Sequence, residues 1–443
     1  MDSGQLAWLI IATALVLLMT PGVAFFYGGL VKAKSVVSMM MMSFGALGLV
    51  AVLWVLFGFS MSSVDSSWSF AGNPFADFAL STTTANDATG EATIGVAFGA
   101  TFAIITVALI SGAIADRAKF GSWMVFVALW ATIVYFPVAA WVWGGGWIYN
   151  LGSMMFPDSG VEVIDWAGGT AVHINAGAAA LALAIVLGKR VGFAKTINKP
   201  HNLPLVMLGG ALLWFGWFGF NAGLTFAPLG EDGNLQTGLI IINTMVCPAS
   251  AILGWIIAEK LKNGKATSVG AVSGAVAGLV AITPACAHLE PIWAILLGLI
   301  VGVACALAVE LKWKLGYDDS LDVVGVHLVA GLIGTLAIGF LADPAAPAEA
   351  RGLLYGGGFE LLAIEAVSAL AVLIYSLVMT TIIALILKAL MGGLRVSARE
   401  ESSGIDVAAH AESGYDYSQT PLTARGVTRS VVIPAPAPAQ EVN

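Results

Sequence analysis

Two of the five histidines stand inside long apolar runs, and their surroundings repeat each other. One run reads Val172-His173-Ile174-Asn175-Ala176-Gly177 and the other Val326-His327-Leu328-Val329-Ala330-Gly331, a shared V-H-x-x-A-G. Each has an aspartate upstream, Asp165 and Asp322 respectively. An imidazole in hydrocarbon is costly unless partnered, and an ionisable group there marks a functional site by default. Two imidazoles solve the problem mutually, one ring nitrogen donating while the other accepts, with no net charge. Such a pair can line an apolar path with its few polar groups. For a lone histidine the plainer reading is a hydrogen-bonded contact between helices. A metal would need a third close ligand, and neither run offers a carboxylate or cysteine for it. No metal, no cofactor and no nucleophile–base pair are expected, which speaks against an enzyme.

The other candidates are weaker. His201, in the turn Lys199-Pro200-His201-Asn202, and His288, at an external boundary, read as solvated loop residues, and His410 belongs to the tail. Cys247, Cys286 and Cys305 fall in apolar segments without CxxC spacing and read as buried, inert thiols. Two aromatic clusters stand out from the interfacial belts that account for most tryptophans. Trp143-Gly144-Gly145-Gly146-Trp147 frees the backbone to re-aim an indole, and Trp217-Phe218-Gly219-Phe220-Asn221-Ala222-Gly223 ends an apolar run. An indole face can hold a small cation with about 0.5–2 kcal/mol, depending on desolvation.

The elements that must position these groups follow from composition. Of 443 residues, 58% are hydrophobic and 10% charged, against roughly a quarter charged in soluble domains. Mean hydropathy is +0.90. Uncharged runs of about twenty residues are long enough to cross a bilayer as helix. Continuous runs such as 203–220 fit helices and not the alternating strands of a barrel. The punctuation predicts an all-α membrane protein with eleven spans, near 6–31, 36–60, 92–115, 120–141, 166–188, 203–222, 236–258, 268–284, 288–310, 323–341 and 359–391. The polar segment 61–91 reads as an external loop.

With this count, 18 of the 19 basic residues fall on one side, and only Arg351 on the other. The positive-inside rule makes the basic side cytoplasmic. The N-terminus is then outside and the tail inside, in a multi-pass protein of the cell (inner or plasma) membrane. Residues 1–20 lack a basic leader region, so the first helix is expected to be retained. The external loops are acidic, which concentrates small cations; nothing suggests nucleic-acid binding. Five spans per copy is an odd number, so two copies carrying the shared histidine motif enter the membrane in opposite directions. That predicts an inverted 5+5 repeat plus one extra helix, with a site at the repeat interface near the midplane. Residues 1–391 form the membrane domain. Residues 392–443 form a cytoplasmic tail, Pro/Ala-rich and disordered from about 432.

These motifs, taken in order, resemble the ammonium transporter family (Amt/Mep/Rh), closest to its prokaryotic Amt members. The resemblance rests on Pro21-Gly22 with Phe25-Phe26-Tyr27-Gly28-Gly29, Asp165-Trp166-Ala167-Gly168-Gly169 before His173, and Lys199 to Asn202. Trp217 to Gly223, Thr283-Pro284-Ala285-Cys286 and Asp322 to His327 complete it. It implies a homotrimer in the lipid bilayer with one pore per subunit, lined by the twin histidines His173 and His327. It implies an outer gate of stacked Phe102 and Phe220, with Trp217 lining the pore just inside. It further implies a recruitment site for ammonium, or methylammonium as analogue, at Trp143 with Phe98 and Asp165; Asp165 reads equally as a helix N-cap. Where the family carries a serine contacting the recruited ion, this chain has Leu224. The tail segments Gly392-Gly393-Leu394-Arg395-Val396 and Gly404-Ile405-Asp406 resemble tails that meet a PII-type regulatory protein. The rival readings are an ammonium sensor of the same fold and an electroneutral NH3/CO2 channel of Rh type.

Overall fold

The structure, a computed structural model, describes residues 3–195, 199–223, 231–347 and 350–416. All regular elements among them are helical. Ten helices are long and apolar enough to cross a membrane: α1 Ser3–Leu30, α2 Val36–Met61, α3 Glu91–Ile114, α4 Phe120–Val142, α5 Gly169–Leu187, α6 Leu203–Ala222, α7 Gln236–Asn263, α9 Pro291–Leu315, α10 Val324–Leu341 and α11 Glu360–Leu390. The predicted eighth span is the apolar helix α8 Ser268–Ile282. Its 15 residues reach only about 22 Å as helix. The chain then turns through 283–289, still buried, before α9.

Sequence explains where several helices begin. The Asn202 side chain accepts from the Leu205 N–H at 3.0 Å, and Thr267 from Gly270 at 2.9 Å. Pro291 opens α9, where its missing N–H costs nothing. The segment 62–90 is a loop with a short helix, Ser81–Asn86. Two of its carboxylates serve its own turns: Asp77 accepts from Thr82 and Thr83, and Asp87 from Thr93.

In the packing, α1 lies along α6, α7 along α9, and α5 against both α10 and α11. The glycines of the histidine motif are what let α5 and α10 approach. A Cβ on Gly177 would sit 2.6 Å from the backbone N of Leu328, and one on Gly331 would press on Gly169 and His173. Apolar helix faces have no hydrophobic drive toward each other in lipid, so such close backbone contact supplies the attraction.

The tail folds back onto the bundle. Lys119 donates to the Leu394 carbonyl and Val396 to that of Arg117, a short antiparallel bridge. Two small helices follow, α12 Ala398–Ser403 with a Ser397/Glu400 capping box, and α13 Asp406–His410. Buried Glu401 holds Arg395 and accepts from the Val191 N–H. The Asp406 carboxylate accepts from Val37 and Ser38, the first N–H groups of α2. The segment expected to be disordered, from 432, lies outside the described residues.

Candidate functional site

His173 and His327 meet in the middle of the bundle. Each lies in a π-helical turn, Gly169–Ile174 at the head of α5 and Val324–Leu328 at the head of α10. Such widened turns re-aim side chains and are frequent at functional sites. The two Nδ1 atoms are 3.2 Å apart, and the rings are nearly parallel at 18° with centroids 5.3 Å apart. Both are buried, and the outer nitrogen of His173, Nε2, has no hydrogen-bond partner among the described residues. One Nδ1 must therefore carry the proton and the other the lone pair. Beside the pair lies an apolar cavity of about 10 Å³ lined by Tyr27, Leu109, Trp217, Phe220 and both imidazoles. That is room for about one molecule the size of water.

A file of rings leads outward from the pair. Trp217 stacks on His173 at 17° and 5.4 Å, and Phe220 lies 6.2 Å from the same imidazole. Phe220 and Phe102 form a stacked pair, 4.2 Å apart at 14°. Phe102 meets Phe98 at 5.0 Å and the edge of Trp143 at 6.1 Å. Phe98, Phe102 and Trp143 open onto a vestibule of about 410 Å³. Gly145, at φ +83°, permits the turn that follows Trp143. The indole N–H of Trp143 donates to the Asp165 backbone carbonyl at 2.8 Å. The Asp165 carboxylate is wholly engaged: Gly168 and Gly169 donate to one oxygen, Thr170 and Ala171 to the other, at 2.6–3.0 Å. Of the two roles open to it, the geometry displays the helix cap. Leu224 lies outside the described residues.

The Ammonium Transporter Family profile matches residues 7–415. The chain belongs to this family. It is 53% identical over 449 residues to an ammonium transporter of Mycobacterium tuberculosis, covering 94% of this chain and 91% of that one. Its fold superposes on a solved "Sensor Amt Protein" with a TM-score of 0.81 at 28% identity, covering 92% of this chain and 98% of the other. Candida albicans Mep2 superposes with a TM-score of 0.79 at 29% identity, over 90% and 88% of the two chains. Membership makes this protein an ammonium transporter of the membrane and not an enzyme.

In this ammonium transporter, several residues stand elsewhere than expected. His201 is no solvated loop residue: its Nδ1 lies 2.9 Å from the Val31 carbonyl and its Nε2 2.8 Å from the Tyr415 hydroxyl, tying a loop to the tail. His288 is buried against Trp166, because the chain between α8 and α9 turns inward. The counterpart of Asp165 is Asp319 and not Asp322. Asp319 is buried and accepts from the Val324 N–H at the head of α10, whereas Asp322 turns outward to Lys312. The spacing carried this signal, since both capping aspartates stand eight residues before their histidine.

Three more groups hold the site; the sequence motifs contain them but gave them no role. The Trp217 indole donates to Thr283 Oγ1 at 2.7 Å, fixing the ring that lies on His173. Asn221 Nδ2 donates to Thr244 at 3.0 Å, while the Asn221 carbonyl receives Trp166. Tyr27 lines the cavity and donates to the Leu109 carbonyl. On the tail side, Arg190 grips Asp318 in bidentate fashion and approaches Asp116 at 3.7 Å. Burial pushes the Asp318 carboxyl up, but the Arg190 hydrogen bonds and charge outweigh it and hold it below its usual range. Burial pushes the neighbouring Arg117 down to about 10.

Proposed function

We propose that this transporter recruits NH4+ at the Trp143 vestibule and removes its proton near the Phe102/Phe220 gate. NH3 then passes His173 and His327, with the proton following for net NH4+ uptake. The observation that carries this reading is the 3.2 Å contact between the two imidazoles behind a stacked phenylalanine pair. An intact ion would have to shed its hydration in that apolar cavity, at a prohibitive cost. Ammonia needs only one donor and one acceptor, which the pair supplies. Leu224, in place of the family's serine, leaves recruitment to Trp143, the vestibule charge and the hydroxyl of the following Thr225.

The wider frame belongs to the same proposal. Eleven crossings, with α8 as the eighth, make an inverted 5+5 repeat plus α11; the pairing of α1 with α6 and α5 with α10 supports it. The N-terminus lies outside and the tail, residues 392–443, in the cytoplasm, on the basic side of residues 1–391. The protein acts as a homotrimer in the cell membrane. A PII-type protein docks at the tail; capture by the full-length chain but not by one ending at Met391 would support this.

A solid-supported membrane with purified protein in liposomes tests the core reading. Ammonium pulses should drive an inward current, and His173→Ala with His327→Ala should abolish it in folded protein. Full current from the double variant would refute the relay. The likeness to a solved sensor keeps one rival in view. A sensor would give negligible flux of labelled methylammonium, and an Rh-type channel would give flux without current.

A further inference from the structure

A second chamber lies behind the recruitment indole. Its volume is about 620 Å³, and Trp143 and Trp166 are common to it and to the vestibule above the phenylalanine pair. Its titratable groups are Tyr149, Glu162, Asp165, His288 and Arg351. His288 is the unusual one. Only 7% of it is exposed, and it makes no hydrogen bond through either ring nitrogen among the described residues. Its Nδ1 is sealed off, leaving Nε2 as the nitrogen with access to the chamber. The sealed Nδ1 gains nothing from a ligand in the chamber; what a ligand can satisfy is the unbonded Nε2.

We propose that this chamber is a second binding site for a small ammonium-type cation, with the His288 imidazole accepting one of its N–H groups. The proposal rests on the reading of the chain as an ammonium conductor fed from the Trp143 end. Burial holds His288 down at about 4, so the ring is neutral at ordinary external pH and offers a lone pair. A cation's N–H selects the tautomer with the proton on Nδ1 and the lone pair on Nε2. Trp166, whose ring lies 6.0 Å from the imidazole, adds an aromatic face. Glu162 and Arg351 are both exposed and offset each other, which leaves the buried Asp165 carboxylate, already bonded to four backbone N–H groups, as the net charge of the lining. A cation held here shares the Trp143 and Trp166 walls with the vestibule.

The test is ammonium-driven current in liposomes, paired with tryptophan fluorescence of purified protein titrated with ammonium chloride against sodium chloride. His288→Ala should raise half-saturation about three- to tenfold in both readouts. Maximal current should stay within about twofold, because the gate and the histidine pair are untouched. His288→Gln keeps an acceptor oxygen and should lie within about twofold of wild type, which separates loss of the acceptor from misfolding. An unchanged half-saturation in His288→Ala, or an equal rise in both variants, overturns the proposal. Absence of current in the wild-type chain would refute the transport reading instead, and the fluorescence titration would still report on the chamber.

Discussion

Asp165→Asn separates two roles for a carboxylate beside a cation site. In the structure both oxygens are occupied by backbone N–H groups, from Gly168, Gly169, Thr170 and Ala171. These are donors that a helix start leaves without partners. An amide of the same shape has one acceptor oxygen, so two of the four donors lose their partner and face an NH2 group. Each orphaned buried donor costs about 1–3 kcal/mol, so about 2–6 kcal/mol for two. Burying an amide is cheaper than burying a carboxylate, which offsets part of this. The net expectation is a loss of roughly 1–4 kcal/mol in stability, comparable to losing a strong cap. Unfolding of the purified protein in detergent, followed by circular dichroism against denaturant, measures it. Half-saturation for ammonium should rise in step, because the Asp165 carbonyl holds the Trp143 indole. A variant as stable as wild type but with a much higher half-saturation would refute the cap argument, since the carboxylate would then act on the cation directly.

Two further expectations follow from the same bonding. Thr283→Val removes the acceptor of the Trp217 indole and leaves a buried N–H, costing about 1–3 kcal/mol; maximal transport should fall with half-saturation nearly unchanged, and Thr283→Ser should restore it. Asp406→Ala deletes two charge-assisted bonds to the start of α2; hydrogen exchange over 398–410 should become at least tenfold faster, corresponding to a loss of about 1.5–3 kcal/mol in docking, and protection equal to wild type would show that the Arg395–Glu401 contact alone holds the tail.

Much of the protein is legible in one dimension. The lengths and uncharged stretches of the apolar runs placed the ten long helices within a few residues, because transfer into hydrocarbon is a sum over neighbouring residues. The repeated V-H-x-x-A-G singled out His173 and His327, and its glycines were already where two helix backbones had to touch. The resemblance to the family, and not the residues' own spacing, pointed to Trp143, Phe102 and Phe220. What stayed hidden was the choice of partners. Nothing near His201 in the chain announces Tyr415, and nothing near Trp217 announces Thr283. His288 looked like a loop residue because a helix boundary usually means water, yet the loop turns into the bundle. Asp319 and Asp322 are three residues apart; one is buried at a helix start and the other pairs with Lys312. Hydrophobic transfer is local and can be read residue by residue. Hydrogen-bond pairing joins positions up to hundreds of residues apart, and only the relative placement of the helices decides it.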